Sequence, residues 1–381
     1  MTNSTRPPSL RGQTAQHVSR LALPLAAVVG LYAYQLLAQG GREHASADAL
    51  IYLASAQGEP AIWPFHVRVL GPHLNALAAH LSGLPLRTAF EAGTLVYLLG
   101  ALLVLAVLLG RRQASLAFEI AVVLGFGSGM AVRFGHSPVL VDTLLLLLVC
   151  LEIAALDGRR YALALAIVCL AAFTKEYGVF LAVPWAVEVY HAKGWLSAMS
   201  GLLPGILLAV GLVTFPSMPR SDPGAVLTYH ADLIAQDGLL TYAKTLYIWL
   251  WTAMWPIIAA AAVSVVVHFR GGLALTRDQR RYAAMLVAVP YLVLGDLDRA
   301  LMVVVPFACL AGASLVYLRN PGPCLLVGAG GLATALARPL YSEVPVPRPF
   351  ILAMIAASGL VSLALVWSLG RSDRDAFRVT S

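Results

Sequence analysis

Leu84-Pro-Leu-Arg-Thr-Ala-Phe-Glu-Ala-Gly-Thr-Leu-Val-Tyr-Leu-Leu-Gly-Ala-Leu-Leu-Val-Leu-Ala-Val-Leu-Leu109 runs, after Gly110, into Arg111 and Arg112. About 20 apolar residues suffice to cross a hydrocarbon core about 30 Å thick, so this stretch is long enough to span. The paired arginines behind it mark an end expected to stay in the cytoplasm. Comparable runs lie at 18–39, 114–132, 138–156, 195–215, 245–268, 300–318, 324–338 and 350–369. Three shorter ones, 161–174, 177–190 and 282–295, are too short to cross untilted and read as half-length helices. The expectation is an all-α, polytopic membrane protein with about ten to twelve transmembrane helices, half-helices included. Composition agrees: 59% of the 381 residues are hydrophobic and only 12% charged, with a mean hydropathy of +0.79, outside the range of soluble domains of this length.

Basic residues set the expected orientation. With the N-terminus inside, short cytoplasmic segments collect Arg6, Arg11, Arg20, Arg111, Arg112, Arg159, Arg160, Lys193, Arg270, Arg277, Arg280, Arg281, Arg319, Arg371, Arg374 and Arg378, as the positive-inside bias expects. The net charge of +7 is thereby explained by topology. No nucleic-acid partner is expected, since no basic run is interleaved with aromatics. Arginine far outnumbers lysine and alanine is abundant, a composition that points to a GC-rich bacterial genome.

Ala45-Ser46-Ala47 has the form of a signal-peptide cleavage site, but the apolar core from Leu21 to Leu37 exceeds the usual length of about 7 to 15 residues. It is read as a span. Cys150, Cys169, Cys309 and Cys324 all fall within or at the ends of apolar runs, where cysteine packs as a small hydrophobe; neither a disulfide framework nor a CxxC metal motif is expected. The expected organisation is a cytoplasmic tail (1–17), one membrane domain (18–370) and a second cytoplasmic tail (371–381). Its larger periplasmic loops are 40–83 and 216–244, with a proline-rich one at 339–349.

On this topology the polar clusters deep in the chain fall on the non-cytoplasmic side. Charges at membrane depth cost about 2.5 to 3.5 kcal/mol on insertion scales and are functional suspects by default. The first loop carries Asp48 and Tyr52, then Pro64-Phe-His-Val-Arg68-Val-Leu-Gly-Pro72. Local pattern alone favours reading Asp48 as a helix N-cap; at the water boundary it can also serve as a general base if partial burial lifts its pKa. Val67, Leu70, Leu74, Leu77 and Leu81 recur at helical spacing, with Pro72 at the helix start and His73, Asn75 and His80 turned away. That pattern is a helix lying in the membrane interface. His66, His73 and His80 repeat every seven residues, about 10.5 Å of helix rise, too far apart to share one zinc.

His136 and Asp142 flank the junction between 114–132 and 138–156; Asp142 is expected either to pair with Arg133 or His136, or to meet substrate. Lys175 and Glu176 divide two half-helices and either line a cavity open to the outside or snorkel to the interface. Asp296, Asp298 and Arg299 sit at the start of the run from 300. Arg299 offers a planar donor fork for phosphate, and the two aspartates either hold it or, less favoured for a lone D-x-D, ligate a hard divalent ion.

In order and sidedness these residues resemble the bacterial members of the GT-C superfamily of integral membrane glycosyltransferases. The resemblance rests on Asp48 with Tyr52, on Pro64 to Pro72 before a juxtamembrane helix, on Thr174-Lys175-Glu176, and on Asp298-Arg-Ala-Leu leading into Val305-Pro-Phe307. It implies a GT-C-like fold with a periplasmic juxtamembrane helix and a polyprenyl-phosphate sugar as donor. It further implies an acceptor hydroxyl on a glycan, lipid or protein, inversion at the anomeric carbon, and no cofactor. By the same resemblance Asp48 is the catalytic base and Arg68, Lys175 and Arg299 stabilise the departing phosphate, with Tyr52, His136 and Glu176 beside them. The chain departs from larger members in having only a short segment after Gly370, and Glu43 and Glu59 are the only other acids of the first loop. The rival reading from another class is a transporter or flippase of a lipid-linked or small polar substrate. Transporters place broken helices near the midplane, often in repeat-related halves, and neither feature is evident.

Overall fold

The computed structural model describes residues 19–38, 47–60, 65, 68–202, 255–286, 301–313, 321–322 and 324–332, which form helices and turns with no strand among them. The fold is all-α. In chain order the helices are α1 (Ala22–Ala38), α2 (Ala47–Ala56), α3 (Leu70–Ser82), α4 (Leu86–Arg111), α5 (Leu116–Val122), α6 (Ser128–His136), α7 (Asp142–Asp157), α8 (Tyr161–Thr174), α9 (Ala182–Lys193), α10 (Trp255–Arg270), α11 (Arg277–Leu286) and α12 (Val305–Ala313). A π-helical turn, Val123–Gly127, joins α5 to α6 without a break, and a 3-10 turn, Glu176–Leu181, leads into α9. Among the described residues two helices are long and apolar enough to cross a membrane: Leu86–Arg111 and the continuous Leu116–His136.

Local chemistry sets the helix ends. Gly83, at φ +69°, closes α3 in the left-handed conformation that glycine adopts without strain. Pro72 falls in the first turn of α3, where a missing N–H costs nothing. The Ser115 side chain accepts from the Phe118 N–H and caps α5.

Long α4 and shorter α7 lie side by side and run the same way. Near their starts the Thr94 hydroxyl donates to the Pro138 carbonyl at 2.6 Å. Midway, a Cβ on Gly100 would lie 3.3 Å from Leu147, and at their ends Arg112 reaches Asp157. α1 packs on α6, where Gly135 approaches the Tyr32 carbonyl and the Gln35 side chain. The Tyr32 hydroxyl donates to the Glu91 carbonyl of α4 at 2.8 Å. α8 returns along α7. α9 is tied to the start of α8 by the Trp185 indole, which donates to the Tyr161 carbonyl at 2.9 Å. α11 and α10 are joined by the Tyr282 hydroxyl, which donates to the Ile258 carbonyl at 2.6 Å.

Where boundaries shift, the cause is local. The expected span 114–132 continues to His136 because the π turn absorbs the Gly125–Gly127 region without ending the helix. The half-helix expected at 177–190 is a 3-10 turn followed by α9, because Gly178 brings that turn onto the backbone of α8. A Cβ on Gly178 would lie 2.2 Å from the Ala171 carbonyl carbon and 2.6 Å from the Ala172 nitrogen. Gly178→Ala is therefore expected to lower stability by about 1–3 kcal/mol, read as a drop in Tm of the detergent-solubilised protein; an unchanged Tm would contradict the packing. The helix expected from 282 begins at Arg277, with a charged first turn. The stretch 350–369 and the loops 216–244 and 339–349 lie outside the described residues.

Candidate functional site

One end of the bundle holds Asp48, Tyr52, Arg68, Asp142 and Lys175. Asp48 lies in the first turn of α2, and Tyr52 follows one turn later on the same face. Tyr52 is fully buried and Asp48 half-buried at the border of that face. The Tyr52 hydroxyl accepts from Arg68 Nη1 at 2.8 Å. Phe65 completes the unit, its ring edge-on to Tyr52 at 5.3 Å and 4.7 Å below the Arg68 guanidinium carbon. A buried, 6% exposed arginine is thus held by a phenol and an aromatic face, both suited to a planar cation.

The second unit is an ion pair. Lys175 Nζ lies 2.5 Å from Asp142 Oδ1, with the two side chains 2% and 0% exposed. Local backbone explains it: α8 ends at Thr174, and Lys175 turns extended at φ −161°, ψ 144°. That turn sends its side chain back to the first residue of α7. Lys175 is thus a partner of Asp142 that the sequence, which offered Arg133 or His136, did not suggest. The buried Lys175 also departs from the expectation of a cavity open to the outside. A Cβ on Gly71 would lie 2.5 Å from Val141 Cγ1, so the start of α3, just beyond Arg68, rests against the residue preceding Asp142. The Tyr52–Arg68 and Asp142–Lys175 units are anchored on either side of this contact.

α3 lies beside this end with Leu77 and Leu81 exposed at 53% and 76%, while Asn75 is buried and donates to the Gly71 carbonyl at 3.0 Å. These leucines share the exposed surface with His80, a mixed apolar and polar surface of the kind an interfacial helix presents. His73 is exposed and its Nδ1–H donates to the Val69 carbonyl at 2.8 Å. His136 is exposed at the end of α6. Asp296, Asp298 and Arg299 lie outside the described residues, and of Glu176 only its backbone, in the 3-10 turn, is described. Among the described residues no three His, Cys, Asp or Glu side chains gather as metal ligands.

The opposite end of α7, about 22 Å away for 15 residues of helix, holds a network that sequence reasoning missed. Arg112 forks between Asp157 and Asp278, with Nη2 at 3.0 Å and 2.8 Å from them. Arg281, 1% exposed, reaches Asp157 at 2.7 Å and Glu188 at 2.9 Å. Arg277 adds Glu188 at 2.8 Å and the Leu156 carbonyl at 2.5 Å. The basic members were visible in the sequence as topology markers. The missed signal was the acid at the same end of each helix: Asp157, Glu188 and Asp278. Glu152, one turn before Asp157, is fully buried and neither carboxylate oxygen finds a hydrogen-bond donor.

Burial works to raise the Asp157 pKa, but the hydrogen bonds and charges of Arg112 and Arg281 win and hold it below its ordinary value. A carboxylate depressed in the folded state contributes stability that is present above its unfolded pKa, about 3.9, and lost as pH falls through the folded one. Tm is expected to fall as pH drops below about 4, and Asp157→Asn to remove that part of the fall. An acid limb identical in the two proteins would refute the linkage.

Compared with protein-family models, with curated proteins and with solved structures, the chain matches none.

Proposed function

We propose that the protein is a multi-pass glycosyltransferase of the bacterial inner membrane, with both termini cytoplasmic. It moves a sugar from a polyprenyl-phosphate carrier to an acceptor hydroxyl at the periplasmic face. The observation that carries this reading is the Tyr52–Arg68 hydrogen bond. It ties the helix bearing Asp48 to a buried guanidinium, so that a candidate base and a phosphate-binding cation belong to one packed unit. Membrane embedding is supported by the apolar exterior: Leu23, Leu37, Val96, Leu163, Leu196 and Phe269 are all exposed, whereas polar Thr94, Thr143, Glu152 and Gln279 are buried.

In the proposed reaction the acceptor oxygen attacks the anomeric carbon from the face opposite the phosphate. Its proton passes to the Asp48 carboxylate as the carbon–oxygen bond to the phosphate breaks, and the bonding pair leaves on the lipid phosphate. One displacement inverts the centre. Arg68, with Arg299, meets the charge developing on the leaving oxygen. Lys175, committed to Asp142, fixes the wall against which the Arg68 loop rests.

The test is sugar release in proteoliposomes from a panel of radiolabelled polyprenyl-phosphate sugars. Transfer to an acceptor supports the reading. If no donor is consumed while labelled lipid crosses the bilayer, the protein is a flippase and the catalytic roles fall.

A further inference from the structure

A pocket of about 400 Å³ opens at the end of the bundle opposite Asp48, between the turn after α7, the start of α8, the end of α9 and the start of α11. Its volume lies in the range of small-ligand sites, about 300–1,000 Å³. Its lining is strongly unbalanced in charge: Arg159, Lys193, Arg277 and Arg280 against the single carboxylate of Glu188. That carboxylate is already engaged, Oε2 by Arg277 at 2.8 Å and Oε1 by Arg281 at 2.9 Å. The remaining cations are not neutralised from within. Lys193 lies over the Tyr161 ring, its ammonium 5.2 Å from the centroid. Arg280 Nη1 donates to the Leu275 carbonyl at 2.8 Å, while its buried Nε–H finds no acceptor. Among the described residues neither Arg159, Lys193 nor Arg280 has a carboxylate partner. Holding several cations around one cavity costs repulsion unless an anion sits among them.

We infer that this pocket binds a phosphate-bearing anion, with Arg159, Lys193 and Arg280 supplying the charge and Arg277 with Glu188 shaping the floor. Arginine provides a planar fork for phosphate oxygens and lysine a point charge. The neighbouring network of Arg112, Asp157, Asp278 and Arg281 holds α7, α9 and α11 together, so the cradle is built before any ligand arrives. The same phosphate chemistry is offered by an anionic lipid headgroup, since basic pockets between helices on the cytoplasmic side take such groups, and by a free phosphate. The inference stands apart from the transferase reading and uses none of its residues.

The experiment compares the full-length protein with the Arg159→Gln/Lys193→Gln double variant. Both side chains are exposed and outside the salt-bridge network, so the fold is retained. Each protein in phosphatidylcholine nanodiscs is titrated with phosphatidylglycerol, and separately with inorganic phosphate, with bound ligand counted by native mass spectrometry. Selective retention of phosphatidylglycerol by the native protein, weakened about thirtyfold in the double variant, assigns the site to a lipid headgroup. Saturable binding of inorganic phosphate, lost in the same variant, assigns it to a soluble anion. An Arg159→Lys/Lys193→Arg variant keeps the charge and is expected to bind like the native protein. Equal retention by native and neutralised proteins, or no retention of either ligand by the native one, overturns the inference.

Discussion

Asp48→Asn is expected to reduce sugar transfer by about 100- to 10,000-fold, the usual contribution of a positioned general base, while leaving the protein folded. The substitution keeps the shape of the side chain and removes its ability to take the acceptor proton. Asp48 is half-buried in the first turn of α2. Tyr52, one turn on, retains its hydrogen bond to Arg68, so donor binding is expected to persist. The loss then falls on kcat and leaves KM for the polyprenyl-phosphate sugar nearly unchanged, the pattern of an interaction made only in the transition state. The assay is initial-rate transfer in proteoliposomes with both proteins reconstituted at equal density. Transfer that survives in Asp48→Asn within a few-fold of the native rate would remove Asp48 from the centre of the reaction.

The largest stability effect is expected at the other end of the bundle. Arg281 is 1% exposed and bridges Asp157, at 2.7 Å, to Glu188, at 2.9 Å. Truncation to methionine keeps much of the volume but leaves two carboxylates short of a cation in a dry environment. Removing one partner of a buried ion pair costs about 3–5 kcal/mol. Arg281→Met is accordingly expected to unfold at clearly lower temperature than the native protein, read as loss of the monodisperse peak after heating. Arg281→Lys is expected to recover only part of the loss, because a single ammonium cannot occupy the positions of Nε and Nη1 together. Equal melting of Arg281→Met and the native protein would mean that Arg112 and Arg277 neutralise the acids unaided.

Among the described residues helix positions were largely legible because a long apolar run between charged ends leaves few alternatives; α4 and the shorter α8 fall almost where the pattern sets them. The existence of α3 was legible from the spacing of Leu70, Leu74, Leu77 and Leu81, the last three of which are exposed. Pairings were much less legible. Asp142 and Lys175 are 33 residues apart, and nothing local links them. Their meeting depends on α8 returning along α7 and on the extended backbone at Lys175. The Tyr52–Arg68 contact was not legible either, since the two are 16 residues apart and no local pattern joins them. The ionic end was misjudged for a different reason. Basic residues at span ends have a ready explanation in topology, and that explanation hid their acidic partners.

The π turn at Val123–Gly127 has a bearing on ancestry. Such a turn is one residue inserted into an otherwise regular helix, and each residue advances the helical phase by about 100°. A homologue lacking the insertion would align with a single gap inside this span. To keep its Arg133 and His136 equivalents on the same side, it would need a different packing of the first helix. Gaps inside hydrophobic segments are usually penalised as errors of alignment; here one would mark a true branch point, separating descendants that turned the end of this helix from those that did not.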